Sequence, residues 1–296
     1  MGASKHPRPK RPVSSARGAL LYVYGCAAVP GGRSKASAKP SLPRPVAALE
    51  ASGSCEWIEN GGLAALVSSV PAAIYEEAPL AKRMENLPWL AERAQRHNRV
   101  LLEVMTHTPV APCRFGVLLR KREGVARMLR RLQKPLLQTL ENLGESYEWC
   151  VKAFAAPRPV QPPSLRGRPA KPARAASGGK AYLLDRARER AAQREATARA
   201  RGRAGQVFAL LARFARDVVP LPARAMKGQA EPLLNLACLV QRADTRRWLA
   251  RLQDLARREQ DNNLRLAWSG PWPPYSFVAE VSDAAASTTR VPTKRA

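Results

Sequence analysis

Apolar and polar positions change their period along the chain in a readable order. Residues 19–26 (ALLYVYGC) are apolar on both faces, which predicts a central, buried strand. Runs at Cys55–Ile58 and Leu63–Val70 flank Glu59-Asn60-Gly61-Gly62, and Asn-Gly between two such runs predicts a hairpin. Over 89–106, Leu90, Ala94, His97, Leu101 and Val104 share one stripe, as on a helix face, and Pro109 stops it. A short strand is expected at 113–119. A helix over 121–143 follows, with Val125, Met128, Leu129, Leu132, Leu136, Leu140 and Leu143 inward. Pro135 lacks a donor and clashes one turn back, so it kinks or splits that helix, and Gly144 caps it. Residues 147–154 alternate as a strand.

Beyond a proline-rich stretch, a long helix is expected over 180–218, with Val207, Leu210, Leu211, Phe214 and Val218 at its end. Gly202 and Gly205 are where it would break. A strand at 232–241, a helix at 243–259 (Trp248, Leu249, Leu252, Leu255 and Ala256 on one face) and a strand at 263–268 complete the pattern. This order predicts an α+β fold of two domains, each with helices on a small mixed or antiparallel sheet. The expected organisation is a basic tail at 1–18, a first domain at 19–156, a linker at 157–178, a second domain at 179–283 and a tail at 284–296.

The chain has 296 residues, 45% of them hydrophobic, enough for two cores. No apolar run is long enough to cross a membrane as a helix. The basic start followed by apolar Ala19–Val29 has the shape of a signal peptide. Tyr22-Val23-Tyr24 reads as strand instead, and Pro30-Gly31-Gly32 is no small-x-small cleavage site, so a cytoplasmic location is expected. The net charge of +27 points toward nucleic acid or anionic surfaces. More than half of it lies in three acid-free stretches, 1–18, 31–49 and 157–180, rich in Pro, Ser, Gly or Ala and expected to be disordered. The basic stretch 186–203 lacks interleaved aromatics, so it does not read as a single-strand stacking platform. A basic nucleic-acid-binding protein remains the alternative reading.

Motifs for catalysis or metal binding are missing. The five cysteines, at 26, 55, 113, 150 and 238, have no CxxC spacing and sit in or beside apolar segments, as buried thiols do. His6, His97 and His107 form no HExxH and no cluster with ligand spacing, and His97 reads as a satisfied, half-buried histidine. There is no Walker A sequence and no GxSxG. No catalytic, cofactor or metal residues are therefore assigned, and no enzyme activity is expected.

Several segments together resemble one family. They are Leu21-Tyr22-Val23-Tyr24-Gly25, Gly62-Leu63-Ala64-Ala65-Leu66-Val67-Ser68, the helix bearing His97, Pro112-Cys113-Arg114-Phe115-Gly116, Glu148-Trp149-Cys150-Val151-Lys152, Leu234–Val240, and Trp268-Ser269-Gly270-Pro271-Trp272-Pro273-Pro274-Tyr275-Ser276-Phe277. In this order, over about 19–278, they resemble the GvpL/GvpF family of gas vesicle proteins. Cys113 and Cys238 depart from it, where the family pattern has a bulkier residue and an aromatic. The resemblance implies a ferredoxin-like N-terminal domain and a C-terminal α+β domain with a long projecting helix. It also implies a non-enzymatic accessory or minor structural role in gas vesicle assembly, with the main shell protein and other gas vesicle proteins as partners. Arg114, Phe115, Trp268, Trp272 and Tyr275 are the candidate partner-binding or inter-domain residues. For Arg114 a buried ion pair or a partner's carboxylate is considered. For the stiff aromatic segment Trp268–Phe277, closure between the domains is preferred over a partner surface.

Overall fold

A computed structural model describes residues 18–29, 43, 47–155, 178–223 and 230–278. The strand β1 (Ala19–Ala28) is the centre of the first of two sheets. Tyr22, Val23, Tyr24, Cys26 and Ala27 are all buried, which accounts for a sequence that is apolar on both faces. β2 (Cys55–Asn60) and β3 (Leu63–Pro71) form the expected hairpin, and β3 continues the antiparallel sheet onto β1. Gly61 and Gly62 have φ of 60° and 81°, the left-handed pair that a two-residue hairpin turn of this hand requires.

The single strand expected at 113–119 is corrected to two short ones, β4 (Ala111–Pro112) and β5 (Leu118–Leu119), both antiparallel to β1. Between them the chain stays tied to β1 by Cys113 N–H to the Tyr24 carbonyl (2.8 Å) and by Val23 N–H to the Val117 carbonyl (2.9 Å). Arg114 to Gly116 lie outside the ladder and separate two strand segments that the sequence pattern joins into one run.

Short helices α1 (Ala72–Tyr75) and α2 (Glu77–Met84) precede α3 (Leu87–Met105). Asn86 caps α3 by accepting the Trp89 N–H at 3.1 Å, a bond of about 1 kcal/mol. His97, Val100, Leu101, Val104 and Met105 form its buried face. The expected split of the next helix gives α4 (Arg122–Arg131) and α5 (Gln133–Leu143), broken at Leu132 (φ −100°), and Pro135 has no N–H to continue the ladder.

The second sheet runs in the order β7 (Asp217–Pro220), β8 (Leu234–Gln241), β6 (Ser146–Ala155), β9 (Leu264–Trp272), all antiparallel. β6 pairs with β8 and β9, so Ser146–Trp272 make one compact unit, and the residues up to Glu145 together with those from Pro273 make the other. The expected boundary at 156 followed chain adjacency, whereas pairing places 146–155 with the later strands. The expected tails and the linker at 157–178 lie almost wholly outside the described residues.

Helix α6 (Gly178–Phe214) is continuous through Gly202 and Gly205, correcting the expected break, and it ends four residues short of 218. Val218 belongs instead to β7, opposite Cys238; its spacing from Phe214 imitated a helical repeat. The strand expected at 263–268 extends to Trp272, with a cis Gly270–Pro271 peptide. Val207 and Leu211 of α6, with Trp248 and Leu252 of α7 (Thr245–Gln260), pack on Trp149, Val151, Leu236, Cys238 and Leu266 to make the core of this unit. Among the described residues, no helix is long and apolar enough to cross a membrane.

Candidate functional site

The first unit gathers Tyr22, Tyr24, Phe115 and Tyr275 around one histidine. β1 places Tyr22 and Tyr24 two positions apart, hence on one face of the strand. α3 brings His97 to them. The Tyr22 hydroxyl lies 2.8 Å from His97 Nδ1, and the His97 ring stacks on Tyr24 (centroids 5.6 Å apart, planes at 18°). Tyr24 in turn accepts the Leu49 N–H at 2.7 Å and meets Ser68 Oγ at 2.8 Å. Tyr75 extends the cluster, with its hydroxyl 2.5 Å from Glu50, a carboxylate also held by Arg93 at 3.2 Å.

Electrostatics follow from burial. His97 is 2% exposed, and loss of water pulls its pKa down to about 4, with the Cys113 backbone acting in the opposite sense. The ring is therefore neutral near pH 7. Burial pushes Tyr22 well above the usual phenol range, while the Gly116 backbone favours its ionised form and so acts as a donor to its oxygen. With that donor in place, the Tyr22 O–H is assigned to His97 Nδ1, leaving the imidazole proton on Nε2. Nε2 makes no hydrogen bond of normal geometry among the described residues, though the Cys113 backbone favours its protonated form, so the half-buried histidine expected there is corrected to a buried one with a single close bond, at Nδ1.

Two of the expected site residues join this cluster. Phe115 is half-buried, edge-on to Tyr22 (5.8 Å) and His97 (6.2 Å). Tyr275 stacks over His97 (6.1 Å, 22°) and donates its hydroxyl to Asn98 Oδ1 at 2.7 Å. Tyr24 and Tyr275 thus both stack with the buried ring, and Pro273, Pro274 and Val278 around that anchor are buried. Arg114 is exposed. Trp268 is partly buried against the core of the second unit, and Trp272 is 37% exposed, its indole N–H donating to Ser269 Oγ at 3.2 Å. The sequence pattern missed that His97 is the hub. Two tyrosines at i and i+2 in an otherwise aliphatic strand were the available signal, since each buried hydroxyl must find a partner. Among the described residues no three His, Cys, Asp or Glu side chains gather as metal ligands.

Antiparallel sheets with helices packed on them are shared with solved gas vesicle proteins. GvpF from Anabaena sp. PCC7120 superposes with a TM-score of 0.58 at 18% identity, covering 88% of this chain and 96% of that one. GvpF from Microcystis aeruginosa gives 0.56 at 17%, covering 88% and 98%. Two proteins of Streptomyces sp. (strain CB03234) are similar in sequence. Gas vesicle protein L is 33% identical over 224 residues, 75% of this chain and 82% of that protein, and gas vesicle protein F is 30% identical over 268 residues, 87% and 98%. The chain belongs to the gas vesicle synthesis protein GvpL/GvpF family, which it matches over residues 20–279. Membership implies a role in gas vesicle formation, and this is not a known enzyme family.

Proposed function

We propose that this protein is a non-enzymatic accessory or minor structural component required for gas vesicle assembly, and that it binds the hydrophobic shell subunit before or during shell formation. The observation that carries the reading is the extent of the family match, 20–279, which takes in both sheets and the C-terminal aromatic segment. A shell subunit that is apolar on its gas-facing side is an aggregation hazard until it is assembled. A folded helper that covers it, or orders its first copies, meets that hazard in the cytoplasm. Arg114, Phe115, Trp268, Trp272 and Tyr275 are the residues proposed to serve this contact or to hold the chain in shape for it.

Deleting the gene in a vesicle-forming host that has no second family member tests the role. Vesicles are expected to be absent or misshapen, and normal number and shape would overturn the proposal. Co-purification of the tagged protein with the shell subunit tests the finer claim, and a defect on deletion without any such association would leave an assembly role that acts through another gas vesicle protein.

A further inference from the structure

Helix α6 keeps Gly202 in its interior, a position where glycine is disfavoured against alanine. Nothing lies within 4 Å of the point where its Cβ would stand, so packing within the described chain does not require it. What Gly202 does line is a groove of about 420 Å³ between α6 and the turn that joins α7 to β9. Ala155, Ala196 and Ala200 line it too, so one part of the wall is small and apolar while the rest is polar.

The polar part is built. Arg203 reaches the carboxylate of Glu259 with two nitrogens, Nε to Oε2 at 3.1 Å and Nη2 to Oε1 at 2.5 Å, and its Nη1 donates to Gln206 Oε1 at 2.5 Å. Glu259 is only 3% exposed, and a buried carboxylate is tolerated only when paired. That pairing fixes the Arg203 guanidinium at the groove with 37% of the side chain still open to water. Arg199 adds a second guanidinium, held by Glu195 at 2.8 Å in an exposed pair that an incoming carboxylate can exchange at little cost. Gln206, Asn262 and Asn263 contribute three primary amides, and among the described lining residues Asp261 adds a carboxylate to those of Glu195 and Glu259 that hold the two arginines.

We propose that this groove binds an acidic peptide segment of a partner protein. Guanidiniums recognise its carboxylates. Primary amides carry both donor and acceptor, as a peptide backbone demands. Gly202 and the alanines let that backbone approach closely. Among the described residues no aromatic side chain lines the groove, so bases find no stacking surface there, and nucleic acid is the disfavoured occupant. The charge of +27 brings acidic partners to the chain, and the groove gives one of them a defined seat. The inference goes beyond the assembly role and its test needs no vesicle.

The test is fluorescence anisotropy of the full chain with a labelled Glu-Ala-Glu-Ala-Glu-Ala peptide at physiological salt, beside a labelled oligothymidine. Gly202→Phe fills the groove without changing charge. Arg199→Gln removes one groove charge, and Arg246→Gln removes one from the exposed side of α7 outside the groove. Gly202→Phe and Arg199→Gln should each weaken peptide binding about tenfold, with Arg246→Gln within about twofold and helix content unchanged by circular dichroism. Should Gly202→Phe lose its fold, Arg199→Gln against Arg246→Gln decides alone. No peptide binding, equal losses for the two arginine variants, or a folded Gly202→Phe that binds like the parent chain would each overturn the proposal. So would a Gly202→Phe that loses oligothymidine and keeps the peptide.

Discussion

Tyr22 Oη and His97 Nδ1, 75 positions apart in the chain, meet at 2.8 Å and join the central strand of the first sheet to helix α3. His97 Nε2 makes no hydrogen bond of normal geometry among the described residues, and the Cys113 backbone is its remaining polar neighbour, so the Tyr22 bond is the close one made by this buried ring. Tyr22→Phe keeps the aromatic packing and deletes only the hydroxyl. It should lower unfolding free energy by about 1–3 kcal/mol, the cost of a buried acceptor left unmade. Urea unfolding of the variant checks this, and an unchanged midpoint would mean the bond contributes nothing.

The same ring makes stability depend on acid. With a folded pKa of about 4 against about 6.5 in the unfolded chain, only the unfolded state takes up this proton between those values. The contribution is present in full above pH 6.5 and is lost as pH falls toward 4, by about 3 kcal/mol in all. His97→Gln removes it. The stability gap between the parent chain and His97→Gln should therefore narrow by about 2 kcal/mol between about pH 7.5 and about pH 5. A gap that stays constant with pH would show that His97 does not titrate as its burial implies.

Gly270 has φ of 149°, and a Cβ there would stand 2.7 and 2.8 Å from two carbons of the Trp149 ring. Trp149 is itself buried in the core of the second unit, so the ring has little room to yield. Gly270→Ala should cost about 1–3 kcal/mol by overpacking alone, with backbone strain added. Thermal unfolding checks it. A melting temperature equal to that of the parent chain would show that the edge of β9 gives way freely.

Much of this fold is readable from local pattern. The hairpin at Asn60-Gly61, the stripe on α3 and the break before Pro135 each rest on neighbouring residues, and local chemistry dictates them. What was hidden is set by partners distant in sequence. β6 looks like any alternating strand, and only its pairing with Leu234–Gln241 and Leu264–Trp272 assigns it to the second sheet. Val218 matched a helical repeat by coincidence of spacing. The hub role of His97 needs β1, α3 and the residues after Trp272 at once, and no window of sequence holds all three. Phe115 and Tyr275 were legible as members of motifs, but their meeting over one imidazole was not.

The basic stretches are expected to be dispensable for folding. Residues 1–18 and 157–178 lie almost wholly outside the described residues; these stretches combine Lys/Arg with proline and carry no acid. Neutralising Lys5, Arg8, Lys10, Arg11 and Arg17 together with Arg158, Arg166, Arg168, Lys171 and Arg174 should leave the melting temperature unchanged and vesicle assembly largely intact. Complete loss of assembly by a variant that is still folded would place the specific contact in those stretches.

The two ends of the C-terminal aromatic segment should respond differently to truncation. Trp272 is 37% exposed and its indole bonds Ser269, three positions back in the same strand. Removing it leaves no large cavity, so Trp272→Ala should change stability by about 0.5 kcal/mol or less. Tyr275 stacks on His97 and bonds Asn98, and Tyr275→Ala uncovers the imidazole and strands the amide oxygen. Its cost should be about 2 kcal/mol or more. If Trp272 contacts a gas vesicle partner, Trp272→Ala weakens capture of the shell subunit while the melting temperature holds. A domain-closing Trp272 would instead lower the melting temperature as Tyr275→Ala does. Thermal unfolding and shell-subunit capture on both variants separate the two: a large stability loss at Trp272 overturns the partner reading, and unimpaired capture with unchanged stability removes Trp272 from the site.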